Sequence, residues 1–348
     1  MTKTMNADIY HVYVGTYGDE QDEAIQLLEF NAIDGTLKKL ASATGIINPS
    51  YLTVNQKQNR LYAVSEVEKG EVVSIEMDLS TFKMSEMNRS GTKGSAPCYL
   101  TLDQKEEHLF TVNYGEGTMT THPIGKDGSL GALSDLKTYV GDQHSHPHTV
   151  VAIPDTNKYI VSDLGLSKLY LYEFDNEDSK LVFIKEIDAV AGSGPRHIAI
   201  EPKLRKVYVV NELNSKVSVY SYDEKVEEFE LIQEIGTLPR GYVGENHCAD
   251  IHIAYEKSYL YASNRGHHSI AVFKIRQDGR LEAITHVSAA GKWPRSFAVL
   301  PDEKHMLVAN QHTSSIVIME IGSDGIPRTT GREYRIKAPV CLRIAPRR

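Results

Sequence analysis

Cysteine is scarce in this chain of 348 residues: Cys98, Cys248 and Cys341 are odd in number and lack metal-type spacing. A disulfide framework and a thiolate metal cluster are therefore excluded. No activating motif surrounds any of the three, so buried free thiols are expected. Tryptophan occurs once, as Trp293, and reads as a packing residue. No run of about 18 apolar residues exists, and the opening MTKTMNADIYHVYVGTYG holds no apolar core of an export signal. Neither a membrane span nor secretion is indicated, and the cytoplasm is the expected location. Positive charge is in deficit, 38 Lys and Arg against 46 Asp and Glu for a net charge of −8, with no Lys/Arg-rich stripe. General attraction to nucleic acid or to an anionic membrane is excluded, so any basic site must be local. The G-x-S-x-G of serine hydrolases, the P-loop and the G-x-G-x-x-G of dinucleotide binding are all missing. Helical periodicity is nearly absent, as are low-complexity linkers, which points to an all-β fold in a single domain over residues 1–348.

What is present is a repeat. Residues 194–212, GPRHIAIEPKLRKVYVVNE, read as a Pro-led strand, a polar turn and a second strand that ends in Asn. Related units start at Pro49, Pro97, Pro147, Pro195, Ala249, Pro294 and Pro339, 45 to 54 residues apart by subtraction. That period is the length of a four-stranded propeller blade, and seven starts predict a seven-bladed β-propeller with four antiparallel strands per blade. The last unit lacks its second strand, which HVYVGTY at 11–17 supplies, so one blade is closed by both termini. Third strands such as VVSIEM from Val72 and SIAVFKI from Ser269 read as half-buried. Asp-Gly pairs at 34–35, 127–128, 278–279 and 324–325 predict type I′ turns between third and fourth strands. The longest interval holds an insertion at about 238–248, read as a longer loop over one face.

If the Pro-led strand is innermost and antiparallel to the next, its start and the end of its partner share one face of the ring. Two columns of residues then line the channel mouth. The first, one residue after each repeat start, is Ser50, Cys98, His148, Arg196, Asp250, Arg295 and Val340. The second is Thr16-Tyr17, Ser65-Glu66, Asn113-Tyr114, Asp163-Leu164, Asn211-Glu212, Asn264-Arg265 and Asn310-Gln311. His148, Arg196, Glu212, Arg265 and Arg295 would form an anion-binding pocket containing an acid or base. Blander readings stand beside it. The Asn and Asp residues of the second column can cap turns, Glu212 can form a structural ion pair with Arg196, and Arg196 and Arg295 can be solvated rim residues. The segment HSHPH at 144–148 would put three imidazoles on one strand face, a poor geometry for one ion, so structural or substrate-contacting histidines are expected and no metal.

The phrases GTYG (15–18), NPSYL (48–52), HPHT (146–149), SDLG (162–165), GPRHIAI (194–200), NEL (211–213), SNRGHHSI (263–270), WPRSF (293–297) and VANQ (308–311) together resemble the seven-bladed propeller 6-phosphogluconolactonase family. That family is similar to the fungal carboxymuconate lactonising enzymes. The resemblance implies a cytosolic hydrolase, independent of metal and cofactor, that opens 6-phospho-D-glucono-1,5-lactone to 6-phosphogluconate in the oxidative pentose phosphate pathway. By match with the lactonising relatives it implies a catalytic set of His148, Arg196, Glu212 and Arg265; of these, either Glu212 or His148 is expected to act as general base on a water. His146, His197, Asn211, Asn264, Arg295 and Asn310 are expected to contact substrate, a small phosphorylated sugar lactone. Asp250 departs from the Glu expected at that position. Three alternatives remain at this level: a lactonase or lactonising enzyme on another lactone, a non-catalytic binding propeller, and a calcium-dependent propeller lactonase. The last is opposed by a mouth richer in Arg than in carboxylates.

Overall fold

A computed structural model describes residues 8–347. Residues 1–7, part of the segment read as lacking an export signal, lie outside the described residues. Among those described, the chain forms twenty-eight strands in seven four-stranded antiparallel sheets, numbered in chain order. Among the described residues no helix is long and apolar enough to cross a membrane.

The innermost strands are β4 (Leu52–Val54), β8 (Pro97–Leu102), β12 (Pro147–Ala152), β16 (Pro195–Glu201), β20 (His247–Ala254), β24 (Pro294–Val299) and β28 (Pro339–Pro346). Each touches the next and β28 returns to β4, so the seven sheets close into a ring around a channel. Proline at the head of an innermost strand is placed where a missing N–H interrupts no ladder. The second strands, which run back to the same face, are β1 (Ile9–Thr16), β5 (Arg60–Ser65), β9 (His108–Asn113), β13 (Lys158–Asp163), β17 (Lys206–Asn211), β21 (Tyr259–Arg265) and β25 (His305–Asn310). The closing blade pairs β1 with β28, from Tyr10 opposite Pro346 to Gly15 opposite Cys341.

Burial follows from the ring. Each blade is covered on both faces, so second and third strands are buried along nearly their whole length, and exposed positions gather in the outermost strands. The third strands are thus not the half-buried surfaces their alternation suggests. The cores lie between blades: Phe110, Val112 and Met119 of one pack with Val150, Tyr159 and Val161 of the next. A tyrosine in several second strands locks neighbours together. Tyr62, Tyr208 and Tyr261 donate their hydroxyls to the carbonyls of Gly128, Gly279 and Gly325 in the following blade, at 3.0, 2.8 and 2.8 Å.

Those glycines belong to the Asp-Gly turns, which do join third and fourth strands but are not type I′. Only the glycines are left-handed, with φ of 62°, 93°, 81° and 71° at Gly35, Gly128, Gly279 and Gly325. Each aspartate instead accepts the N–H two residues on, from Thr36, Ser129, Arg280 and Ile326. A side-chain turn of this kind needs no positive φ at the Asp.

Candidate active site at the channel mouth

One backbone device places the functional side chains. The residue before the strand-leading proline is left-handed in five blades, with φ of 47°, 49°, 66°, 66° and 40° at Asn48, Ala96, Gly194, Trp293 and Ala338. A residue preceding proline is excluded from the helical region, and here the left-handed kink turns its carbonyl toward the neighbouring strand. Those carbonyls accept N–H bonds from Glu66, Tyr114, Glu212, Gln311 and Tyr17, and the His146 carbonyl takes that of Leu164, over 2.7 to 3.1 Å. Six of the seven second-column residues are thereby pinned beside a first-column one, and Arg265 is instead in ladder register with His247. Opposite proline, the preceding Asn or Asp is in register: Pro97 with Asn113, Pro147 with Asp163, Pro195 with Asn211, Pro294 with Asn310.

Side chains of the two columns enclose a recess of about 250 Å³ lined by Tyr17, Glu66, Cys98, Tyr114, His148, Arg196, Glu212, Arg265 and Arg295. That lies just below the usual range for drug-sized ligands and suits a small molecule. Glu212 is its hub. One carboxylate oxygen accepts from Arg196 Nε at 2.9 Å and from Arg265 at 2.7 Å. Burial would raise the Glu212 pKa, but Arg265 and Arg196 outweigh it and hold the carboxyl below its ordinary value. Arg196, itself 2% exposed, also donates to the Ala249 carbonyl at 2.6 Å. Arg265 donates to the Cys248 carbonyl at 2.9 Å and lies 5.6 Å over the Trp293 ring. Burial, then the facing Arg196, lowers its pKa.

Arg295 is different. It has no carboxylate in ion-pair contact and stands 5.2 Å over the ring of Tyr17, whose hydroxyl is 3.1 Å from both oxygens of Glu66. Burial opposes its charge, yet Tyr17 and Glu66 keep its pKa raised. His148 is buried, and burial followed by Arg196 drives its pKa well below the ordinary histidine value, so the imidazole is neutral at pH 7. Its Nδ1 is sealed and has no protein partner, which leaves Nε2 as the nitrogen open to the recess. Burial raises the Cys98 thiol, and its sulfur is in contact with the Pro147 and His148 carbonyls, so it is an inert wall.

The structure thus brings together His148, Arg196, Glu212, Arg265 and Arg295. It does not bring the other expected contacts into the recess. Asn211, Asn264 and Asn310 are fully buried and spend their amides on Ser218, on Thr237 and Ser269, and on the Ala289 carbonyl. Asn211 ties the second strand to the third strand of its own blade, whereas Asn264 and Asn310 reach the chain just past the fourth strand of the preceding blade, at Thr237 and Ala289. His146 stacks on Tyr114 at 4.3 Å and bonds the Tyr114 carbonyl, and His144 bonds the Gly115 carbonyl. Both precede β12, so three imidazoles do not share a strand face. Among the described residues no three His, Cys, Asp or Glu side chains gather as metal ligands. His197 and Asp250 lie below the recess, bonded to each other at 2.8 Å. Asp250 was misplaced by one position: Cys248 pairs with Asn264, and a bulge follows, so Ala249 is the first-column residue of that blade. Trp293 is not only packing, since it stacks on His312 at 4.7 Å beside the mouth. Sequence reasoning overlooked Tyr17, Glu66, Cys98 and Tyr114 as pocket residues, although all four stand in the two columns.

A closed seven-bladed ring with an arginine-rich recess at one channel mouth defines a propeller with a small-molecule site. The family described as "Lactonase, 7-bladed beta-propeller" matches residues 11–344. The chain is 30% identical to the 6-phosphogluconolactonase of Bacillus subtilis, over 96% of this chain and 98% of that one. Among solved structures it is similar to a periplasmic gluconolactonase of Pseudomonas aeruginosa, with a TM-score of 0.89 and 27% identity over 97% of this chain and 99% of that one. It is also similar to a Bacteroides fragilis protein provisionally described as a 6-phosphogluconolactonase, with a TM-score of 0.90 and 27% identity over 99% and 100%. The chain belongs to the seven-bladed propeller lactonase family and is a lactone hydrolase.

Proposed function

We propose that this chain, folded as one domain, hydrolyses 6-phospho-D-glucono-1,5-lactone to 6-phosphogluconate, as the second step of the oxidative pentose phosphate pathway in the cytoplasm, without metal or cofactor. One observation carries the reading: a neutral imidazole faces three guanidiniums in a recess holding only two carboxylates. The Nε2 of His148 removes a proton from a water as the water oxygen attacks the lactone carbonyl carbon. Negative charge on the former carbonyl oxygen is met by Arg196 and Arg265, which Glu212 holds side by side. When that oxygen re-forms its double bond the ring C–O bond breaks, and the His148 imidazolium returns the proton to the leaving alkoxide. Glu212 is a weaker choice of base because both arginines stabilise its ionised form. Arg295, free of carboxylate partners, suits the phosphate, which a guanidinium fork can bind through two hydrogen bonds.

A second reading, an unphosphorylated gluconolactone, is favoured by the Pseudomonas neighbour and by Glu66, which stands on the Arg295 side of the recess. The test is hydrolysis of freshly generated lactones, followed above the spontaneous rate with and without chelator. A kcat/KM at least tenfold higher for the 6-phospho compound, insensitive to chelator and lost in His148→Ala, supports the first reading. A preference for the unphosphorylated lactone supports the second.

A further inference from the structure

Below the recess the repeat breaks its own pattern. Two residues after the strand-leading proline, the blades carry Tyr51, Tyr99, Thr149, His197, Ser296 and Cys341, and by the observed register Asp250 holds the same position in its blade. The carboxylate and the imidazole are in neighbouring blades and meet at 2.8 Å, Asp250 Oδ1 to His197 Nδ1. Both are buried. A carboxylate in a propeller axis costs free energy that an apolar side chain would not, and Asp250 is kept by a dedicated cage. The N–H of Ile251, the hydroxyl of Ser296 and the N–H of Phe297 all donate to it, and His252 Nε2 lies 3.2 Å away.

The cage fixes the chemistry of His197. Burial works against ionised Asp250, but His252 and His197 prevail and keep it charged. A charged carboxylate accepts only, so the proton of His197 sits on Nδ1. Burial and Arg196 push the His197 pKa down to about 4, leaving its ring neutral. This carboxylate-polarised ring packs against His148, with centroids 5.2 Å apart and planes at 69°. Tyr114 flanks His148 from another side at 5.7 Å and 77°. The charged groups acting on His148 are Arg196 and Arg295, and those acting on His197 are Arg196, Asp250 and Arg343.

We propose that Asp250 and His197 are positioning residues for His148: the carboxylate fixes the His197 tautomer, and the His197 ring holds His148 as the Nδ1–H tautomer with its Nε2 lone pair aimed into the recess. An electron-rich ring favours an N–H edge over a lone pair against it. With the proton on Nε2 instead, His148 has no lone pair to offer a water. The inference rests on His148 as the base, and the test separates the two.

The variants are Asp250→Asn and His197→Asn, the latter keeping an N–H near the place of Nδ1. Each is measured for kcat and KM on the lactone, for melting temperature, and by nitrogen-15 spectra of the His148 imidazole. The expected result is a kcat lower by about tenfold to a hundredfold, KM within about twofold, and loss of the single His148 tautomer. Added to His148→Ala, either change causes no further loss, as groups acting through one residue are non-additive. An unchanged His148 tautomer, or an equal loss of kcat in the His148→Ala background, overturns the proposal. If His148→Ala is fully active, the base assignment fails by itself, and the nitrogen spectra alone decide whether the pair orients that ring.

Discussion

At the scale of single residues, the recess divides its ionisable groups between charge and proton. Glu212 is locked to two arginines, so its removal disorders cations; His148 has an open nitrogen, so its removal deletes the base of the proposed mechanism. His148→Ala is expected to lower kcat by about 10²- to 10⁴-fold with little change in KM, whereas Arg295→Ala is expected to raise KM for a phosphorylated lactone and spare kcat. Steady-state kinetics with both variants checks the division, and a large kcat loss in Arg295→Ala would move that residue into the chemistry. The buried histidines also set the acid response. His148 and His197 have folded pKa values below the unfolded 6.5, so under pH 6.5 the unfolded chain binds protons the fold refuses. Stability present above pH 6.5 is lost as pH falls from there toward 4, at up to about 1.4 kcal/mol per pH unit for each histidine. Melting temperatures at pH 7.5, 6 and 5 are expected to fall, and to fall less steeply in His148→Ala. His148, Arg196, Glu212, Arg265 and Arg295 were legible in the sequence because the repeat aligns them; Glu66 stands in the same column but was not joined to that cluster, and Tyr17, Tyr114 and Cys98 were passed over because uncharged residues in the columns carry no chemical signal of their own.

At the scale of elements, the turn after β21 shows how a local backbone holds a catalytic candidate. Gly266 follows Arg265 with φ of 125°, and a Cβ there would press on the Glu245 carbonyl oxygen and the Asn246 backbone. That conformation is essentially reserved for glycine. Gly266→Ala is expected to cost about 1–3 kcal/mol and to lower kcat, because the 237–246 loop and Arg265 must both shift. Denaturant unfolding and kinetics measure the two effects, and a variant with unchanged stability would show that the loop yields freely. This insertion was visible as a lengthened repeat, but its consequence was not. Without proline at the strand start, the sequence offers no marker of register; Cys248 and not Ala249 stands opposite Asn264, which moves Asp250 from the mouth to the layer beneath. The bulge that follows is shared with the proline-led blades, so the start of the repeat and not the bulge sets this blade apart. The turn type at the Asp-Gly pairs escaped for a related reason: the Asp side chain competes with the backbone for the same N–H, and a pattern based on φ preference does not count that bond.

At the scale of the whole molecule, stability depends on closing the ring. Seven blades bury each other's faces, so an unclosed ring exposes two blade faces and an unpaired strand edge. Closure rests on β28, whose Val340, Cys341 and Leu342 are 4%, 1% and 2% exposed, and which covers β1 from Tyr10 to Gly15. At about 1.5–3 kcal/mol for each buried apolar side chain, these three contribute roughly 5–9 kcal/mol, comparable with the 5–15 kcal/mol of a whole fold. Their loss cannot be absorbed locally, because the hydrogen bonds of β1 go with them. Deletion of residues 339–348 is therefore expected to abolish soluble expression. A synthetic peptide of residues 339–348 added during refolding should restore some soluble, active protein, since the chain break would then fall in a turn and every strand would have its partner. Soluble, active protein from the C-terminal deletion without peptide would show that six complete blades and an open seventh suffice, and that the pairing of both termini is dispensable.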